Sequence, residues 1–237
     1  MDSHYRINHK AKGAWANRWV RFWMRFAGYG RYGRLATRLA AWQSPPHKSQ
    51  VRLAKMNPKG FIAPSAQIYH SNLQLGQHVY LGDRVMIYES SQSGPVQLGD
   101  RVTFLRDTIV ETGEEGGVFV GADTFIHPRC QLNAYKANIE IGKGVMLAAN
   151  CALYPHNHGM VEGESMQEQP LESKGPIIIE DHCWLGTGVV VMGGVRIGQG
   201  AVIGAGSVVI NDIPALAIAV GAPARVIRTR MEQLPHD

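Results

Sequence analysis

The chain has 237 residues, 45% of them hydrophobic and 18% charged, a balance that suits one substantial core and excludes a disordered polymer. Its formal net charge of +5 would suit nucleic acid if it were evenly spread, but many of the arginines precede residue 53, so the charge marks an N-terminal arm and no nucleic-acid partner is expected. Three cysteines without CxxC spacing exclude a disulfide framework or zinc knuckle, and no apolar run reaches the roughly 18 residues that span a bilayer.

The first 30 residues hold aromatics interrupted by arginines instead of a signal-peptide core, so a cytoplasmic chain is expected, at the inner membrane face if the arm touches lipid. Trp15, Trp19, Phe22, Trp23 and Phe26 share one helical face, with Arg18, Arg21 and Arg25 on the other. Gly28, Gly30 and Gly33 end that helix, Leu35, Leu39 and Trp42 mark a second, and "SPPHKS" reads as a linker. Such a pair either lies on anionic lipid or caps the body of the protein or a neighbouring subunit; capping is the preferred reading. The expected divisions are the arm and linker over 1–50, the body over 51–228 with a loop at 159–176, and a tail over 229–237.

Within the body a branched aliphatic recurs every six residues, at Ile179, Leu185, Val191, Ile197, Ile203 and Val209. A small or β-branched residue follows four positions later, as at Cys183, Val189, Val195, Ala201 and Ser207. A strand that buries two residues in every six must turn a corner at the same interval, with Gly or Asn absorbing the awkward dihedrals. Three sides close one triangular coil, so an all-β parallel solenoid is expected.

Upstream, the coils open at Leu75, Leu98, Val120 and Ile141, then Ile179 and Ile197, with separations of 23, 22, 21, 38 and 18 residues. Every excess over 18 falls after the third side. Loops such as "SSQSGP" and "TGEEGG" therefore line one edge, and the longest of them projects near Gly159 to Gly175. Cys130, Cys151 and Cys183 each follow an aliphatic by four positions and are expected in the core.

"LYPHNHGM" marks the point where the repeat stops and that loop begins. Leu153 starts the side and Asn157 takes the next inward position, which turns His156 and His158 outward at the mouth of the loop. An imidazole with an unperturbed pKa of about 6.5 can take a proton at neutral pH and return it. Trp184 also points outward, beside Leu185 and Gly186.

"IGKGVMLAANCALYPHNHG", "CWLGTG", "IGQGAVIGAGSVV" and "VGAPARVIR" resemble the hexapeptide-repeat acyltransferases, in the branch with galactoside, maltose and polysaccharide O-acetyltransferases. The likeness covers roughly 61–227. It implies a left-handed β-helix, a rare exception to right-handed crossovers, and a homotrimer with sites between subunits. It also implies acetyl-CoA as donor, a sugar-type hydroxyl as acceptor, and His158 as the base. Backbone N–H groups would hold the oxyanion, so no metal is expected.

By the same resemblance Trp184 forms the acceptor wall, or else a trimer contact, and Thr187, Ala205, Gly206 and Arg228 meet CoA; His156 orients or contacts substrate, or is idle. The family's acceptor-binding asparagine is replaced by Pro128 with His127 beside it, so His127 is the acceptor-side candidate; Asn211 stands where a phosphate-binding lysine is common. Two other readings remain at this stage: a metalloenzyme like the γ-class carbonic anhydrases, for which His78, His127 and His182 lack the ligand spacing, and a non-catalytic trimeric assembly or membrane-docking module.

Overall fold

The computed structural model describes residues 14–230. Strands of two to five residues form three parallel sheets that run the length of a triangular prism. In chain order each coil visits sheet A, sheet B and sheet C, starting at Phe61–Ile62, Gln67–Tyr69 and Leu73–Leu75. The register is one residue over its counterpart in the next coil: Leu81 over Phe104 over Ile126 in sheet A, and Leu132 over Leu153 over Val191 in sheet B. The six-residue frame is thus the frame of the core, and its aliphatics are buried in a single column. The three cysteines are buried there as free thiols, and burial pushes the Cys183 thiol up to about 11.

The glycines divide between two tasks, of which the sequence reading named one. A Cβ on Gly186 would meet the backbone of Ala205 in the next coil at 2.6 Å, so the glycine after the aliphatic is there because adjacent coils stack too closely for a side chain. The corner itself lies two residues on, at Gly188 with φ 71°. Bulkier residues also take that conformation: Arg101, Asp123 and His182 lie at φ 58°, 60° and 61°. Glycine at a corner is therefore a convenience, whereas glycine behind the aliphatic is a packing requirement.

The arm comprises α1 (Ala14–Met24), α2 (Arg31–Trp42), a 3-10 turn (His47–Gln50) and α3 (Val51–Ala54). The first strand opens at Phe61, so the arm runs ten residues beyond the expected boundary at 51. α2 caps the first coil, whose carbonyls have no coil beneath them: Thr37 Oγ1 donates to the Ile62 carbonyl at 2.9 Å, and the Arg34 guanidinium donates to those of Pro64 and Ala66. α1 buries Ala16, Val20 and Met24, with only Trp23 of its aromatic face packed against them, and the arm's core joins Phe61, Tyr80 and Leu105 on the outside of sheet A. At the other end, Arg225–Thr229 folds back antiparallel on Ala217–Val220. All but the first two residues of the expected tail over 229–237 lie outside the described residues.

Candidate functional site

The loops leave the prism where sheet B passes into sheet C, and the longest leaves at Pro155. Pro155, not Asn157, takes the last buried position, because the chain quits the solenoid there. His156–His158 then pairs antiparallel with Leu171–Ser173, which lifts a two-stranded hairpin off the corner. Ser173 Oγ donates to the Pro155 carbonyl at 2.6 Å and anchors the base of the hairpin. Gln169, buried to 4% exposure, accepts from Val161 N at 2.7 Å and donates to the carbonyls of Val161 and Glu164, so the projecting loop is stitched from inside. No motif in the sequence marks Gln169 for this role.

Only one of the two imidazoles is exposed. His158 faces solvent, whereas His156 is half-buried, with ring centres 5.3 Å from Tyr135 and 5.9 Å from Tyr154. This corrects the expectation of two outward histidines: the residue two beyond Tyr154 remains on the outer face of sheet B and is covered by its aromatic neighbours. Burial holds the His156 pKa below its ordinary value, with His158 acting in the same sense against Glu111, Glu114 and the Asn133 backbone, which raise it. Glu111 accepts from Tyr135 Oη at 2.7 Å and from Asn133 Nδ2 at 2.9 Å. His156 Nδ1 and Asn133 Oδ1 are buried with no hydrogen-bond partner.

The remaining predicted residues lie elsewhere on the prism. Trp184 projects from sheet A between Met146 and Val202, half-exposed. Thr187, Ala205 and Gly206 are exposed at the corner between sheets A and B, where Gly206 N donates to the Thr187 carbonyl at 2.8 Å. A Cβ on Gly206 would meet nothing within 4 Å, so this corner is an open shelf. Arg228, half-buried, pairs opposite Ile218 at the end of sheet A.

His127 follows the sheet A strand Phe125–Ile126, its ring 5.1 Å from Phe125. Burial lowers its pKa first, and the charges of Lys48 and His47 lower it further. The "SPPHKS" stretch is therefore more than a linker, because it brings two basic side chains to the acceptor-side candidate. Nothing local in the sequence signals an electrostatic influence across the 79 residues between Lys48 and His127.

In a triangular section the corner between sheets B and C lies opposite sheet A. His158 and Trp184 of one chain consequently face different directions. A groove of about 800 Å³ runs across the outside of sheet C past Gln97, Phe119 and Glu140, and none of the predicted site residues lines it. Among the described residues no group of three His, Cys, Asp or Glu is placed to hold a metal ion.

The fold and the repeat define a hexapeptide solenoid, and a family model described as bacterial transferase hexapeptide (six repeats) matches residues 176–211. The galactoside O-acetyltransferase of Escherichia coli is 31% identical over 171 residues, covering 66% of this chain and 81% of that protein. The chain therefore belongs to the hexapeptide-repeat transferase family that contains that enzyme. It spans about half the length of other curated relatives it matches, 44% and 45% of putative or probable acetyltransferases of Schizosaccharomyces pombe and Mycobacterium tuberculosis.

Among solved structures, the polySia specific acetyltransferase NeuO superposes with a TM-score of 0.57 at 24% identity, over 70% of this chain and 74% of that one. The N-acyltransferase AntD from Bacillus cereus, in complex with dTDP and coenzyme A, gives 0.51 at 20%, over 78% and 92%. These two likenesses establish the fold alone.

Proposed function

We propose that the chain is an O-acetyltransferase that moves the acetyl group of acetyl-CoA to a hydroxyl of a sugar or polysaccharide precursor, with His158 as general base. The observation that carries the reading is the exposed imidazole of His158 at the root of the stitched hairpin, in a chain whose family includes a galactoside O-acetyltransferase. His158 takes the proton of the acceptor hydroxyl, and the oxygen attacks the thioester carbonyl carbon. As the tetrahedral intermediate collapses the C–S bond breaks, and the imidazolium returns the proton to the departing thiolate. A thioester is already activated, so positioning and oxyanion stabilisation supply the rest.

The open shelf of Thr187, Ala205 and Gly206 suits a pantetheine arm, which needs small exposed residues and backbone hydrogen-bonding groups along its path. Arg228 is the candidate for a CoA phosphate. His158 stands at the corner between sheets B and C, whereas Trp184 projects from sheet A and the shelf lies at the corner between sheets A and B, so the proposed complete site draws on a neighbouring copy, and a cyclic trimer with three such junctions is the proposed assembly. His127 would meet the acceptor there, its pKa held low by burial and by the charges of Lys48 and His47. The test is release of free thiol from acetyl-CoA as sugar and glycan acceptors are added to the full chain. Acceptor-dependent release supports the reading; no release beyond slow hydrolysis, with every glycan class offered, contradicts it.

A further inference from the structure

Between Asp2 and Asp83 the sequence contains thirteen Lys and Arg and no carboxylate side chain. α1 and α2 lie within that stretch, and their buried stripes account for only part of their apolar residues. Around α1 the order is fixed by 3.6-residue geometry: Ala16, Val20 and Met24 face inward, Trp15, Trp19, Phe22 and Phe26 follow on the adjoining stripe, and Arg18, Arg21 and Arg25 come next. Three rings of the aromatic stripe stay in solvent, Trp15 at 63%, Phe22 at 50% and Phe26 at 56% exposure, while Trp19 is half-buried.

α2 repeats the arrangement. Gly33, Ala36, Thr37 and Ala40 are buried, while Tyr32, Leu35 and Trp42 are exposed at 90%, 52% and 74%. The two stripes join: Trp19 Nε1 donates to the Leu39 carbonyl at 2.7 Å, and the Trp19 ring lies 6.3 Å from Trp42 and 5.4 Å from Trp15. Arg34 is committed to the first coil, but the other five arginines of the hairpin make no ion pair among the described residues.

We propose that this face is a docking surface for a membrane rich in anionic lipid. Apolar rings seated at the headgroup boundary, with guanidinium groups on the flank reaching phosphates, form the arrangement that holds an interfacial helix in the plane of a bilayer. No helix of the described residues is long and apolar enough to cross a membrane, so the hairpin lies on the surface. The charge chooses the occupant. A second copy would bring the same unneutralised arginines against these, whereas a leaflet carrying phosphate diesters supplies the opposite sign. The inference stands apart from the acyl-transfer reading, since none of these residues belongs to the proposed site.

The experiment is co-sedimentation of the full chain with vesicles of equal parts phosphatidylcholine and phosphatidylglycerol, against vesicles of phosphatidylcholine alone. Wild type is expected to pellet with the anionic vesicles and to be released by high salt. Arg18→Glu, Arg21→Glu and Arg25→Glu together are expected to weaken partitioning at least about a hundredfold. Trp15→Ser, Phe22→Ser and Trp42→Ser together should abolish it, with the circular dichroism melt and the oligomeric mass unchanged. Wild type that remains in the supernatant with anionic vesicles overturns the proposal. So does an aromatic triple variant that is folded but of smaller oligomeric mass, which would assign the face to a contact between copies.

Discussion

His158→Ala is expected to lower kcat/KM for acetyl transfer by about 10²–10⁴-fold, the usual contribution of a positioned general base. The loss should fall on kcat, because the imidazole acts on a proton that moves in the transition state. His158 is exposed and its backbone is held through pairing with Leu171, so removal of its ring leaves no cavity and the unfolding midpoint should be unchanged. His156 behaves differently, being packed against Tyr135 and Tyr154. His156→Ala disturbs packing as well as any substrate contact, and it should lose stability as well as rate. Near-normal turnover by folded His158→Ala would remove the base from the mechanism.

Phe104→Ala is expected to cost about 3–5 kcal/mol of unfolding free energy, read as a lower denaturant midpoint at unchanged slope. Phe104 is fully buried in sheet A, with Leu81 and Ile126 in register on either side. Backbone hydrogen bonds to both neighbouring coils hold those residues in place, so the void left by the ring cannot collapse. The comparison is Phe119→Ala, which removes the same ring from the outer face of sheet C and should cost about 1 kcal/mol. Equal losses at the two positions would mean that the six-residue frame does not separate inside from outside.

That frame was legible because nothing competes with it. A strand with one residue in and one out is locally determined, and the in-register aliphatics of sheets A, B and C repeat the decision in every coil. The edge that carries the loops followed from the same arithmetic. The frame could not say where it stops: Pro155 ends it two residues before Asn157, because the departure depends on the hairpin partner at Leu171–Ser173, far along the chain.

In α1 the large rings dominated the periodicity and concealed the stripe that packs, Ala16, Val20 and Met24, of which Val20 and Met24 join the core beneath the arm. His158 was legible as an outward side chain at a loop root. The covering of His156 by Tyr135 and the influence of Lys48 on His127 were not, since each joins segments that the sequence keeps apart, and the stitching by Gln169 depends on how the loop closes on itself.

The central claim is that one copy supplies His158 and its neighbour the shelf beneath the thioester. Ala205→Trp should block the shelf without touching the core, because Ala205 is exposed at its corner. The decisive measurement is the thiol-release rate after His158→Ala and Ala205→Trp chains, each nearly inactive alone, are unfolded together in equal amounts and refolded as mixed assemblies. Half of the junctions carry an intact His158 and half of those meet an intact shelf, so the account predicts recovery of about a quarter of the wild-type rate. A mixture no more active than its parents would place the whole reaction within a single chain and contradict it.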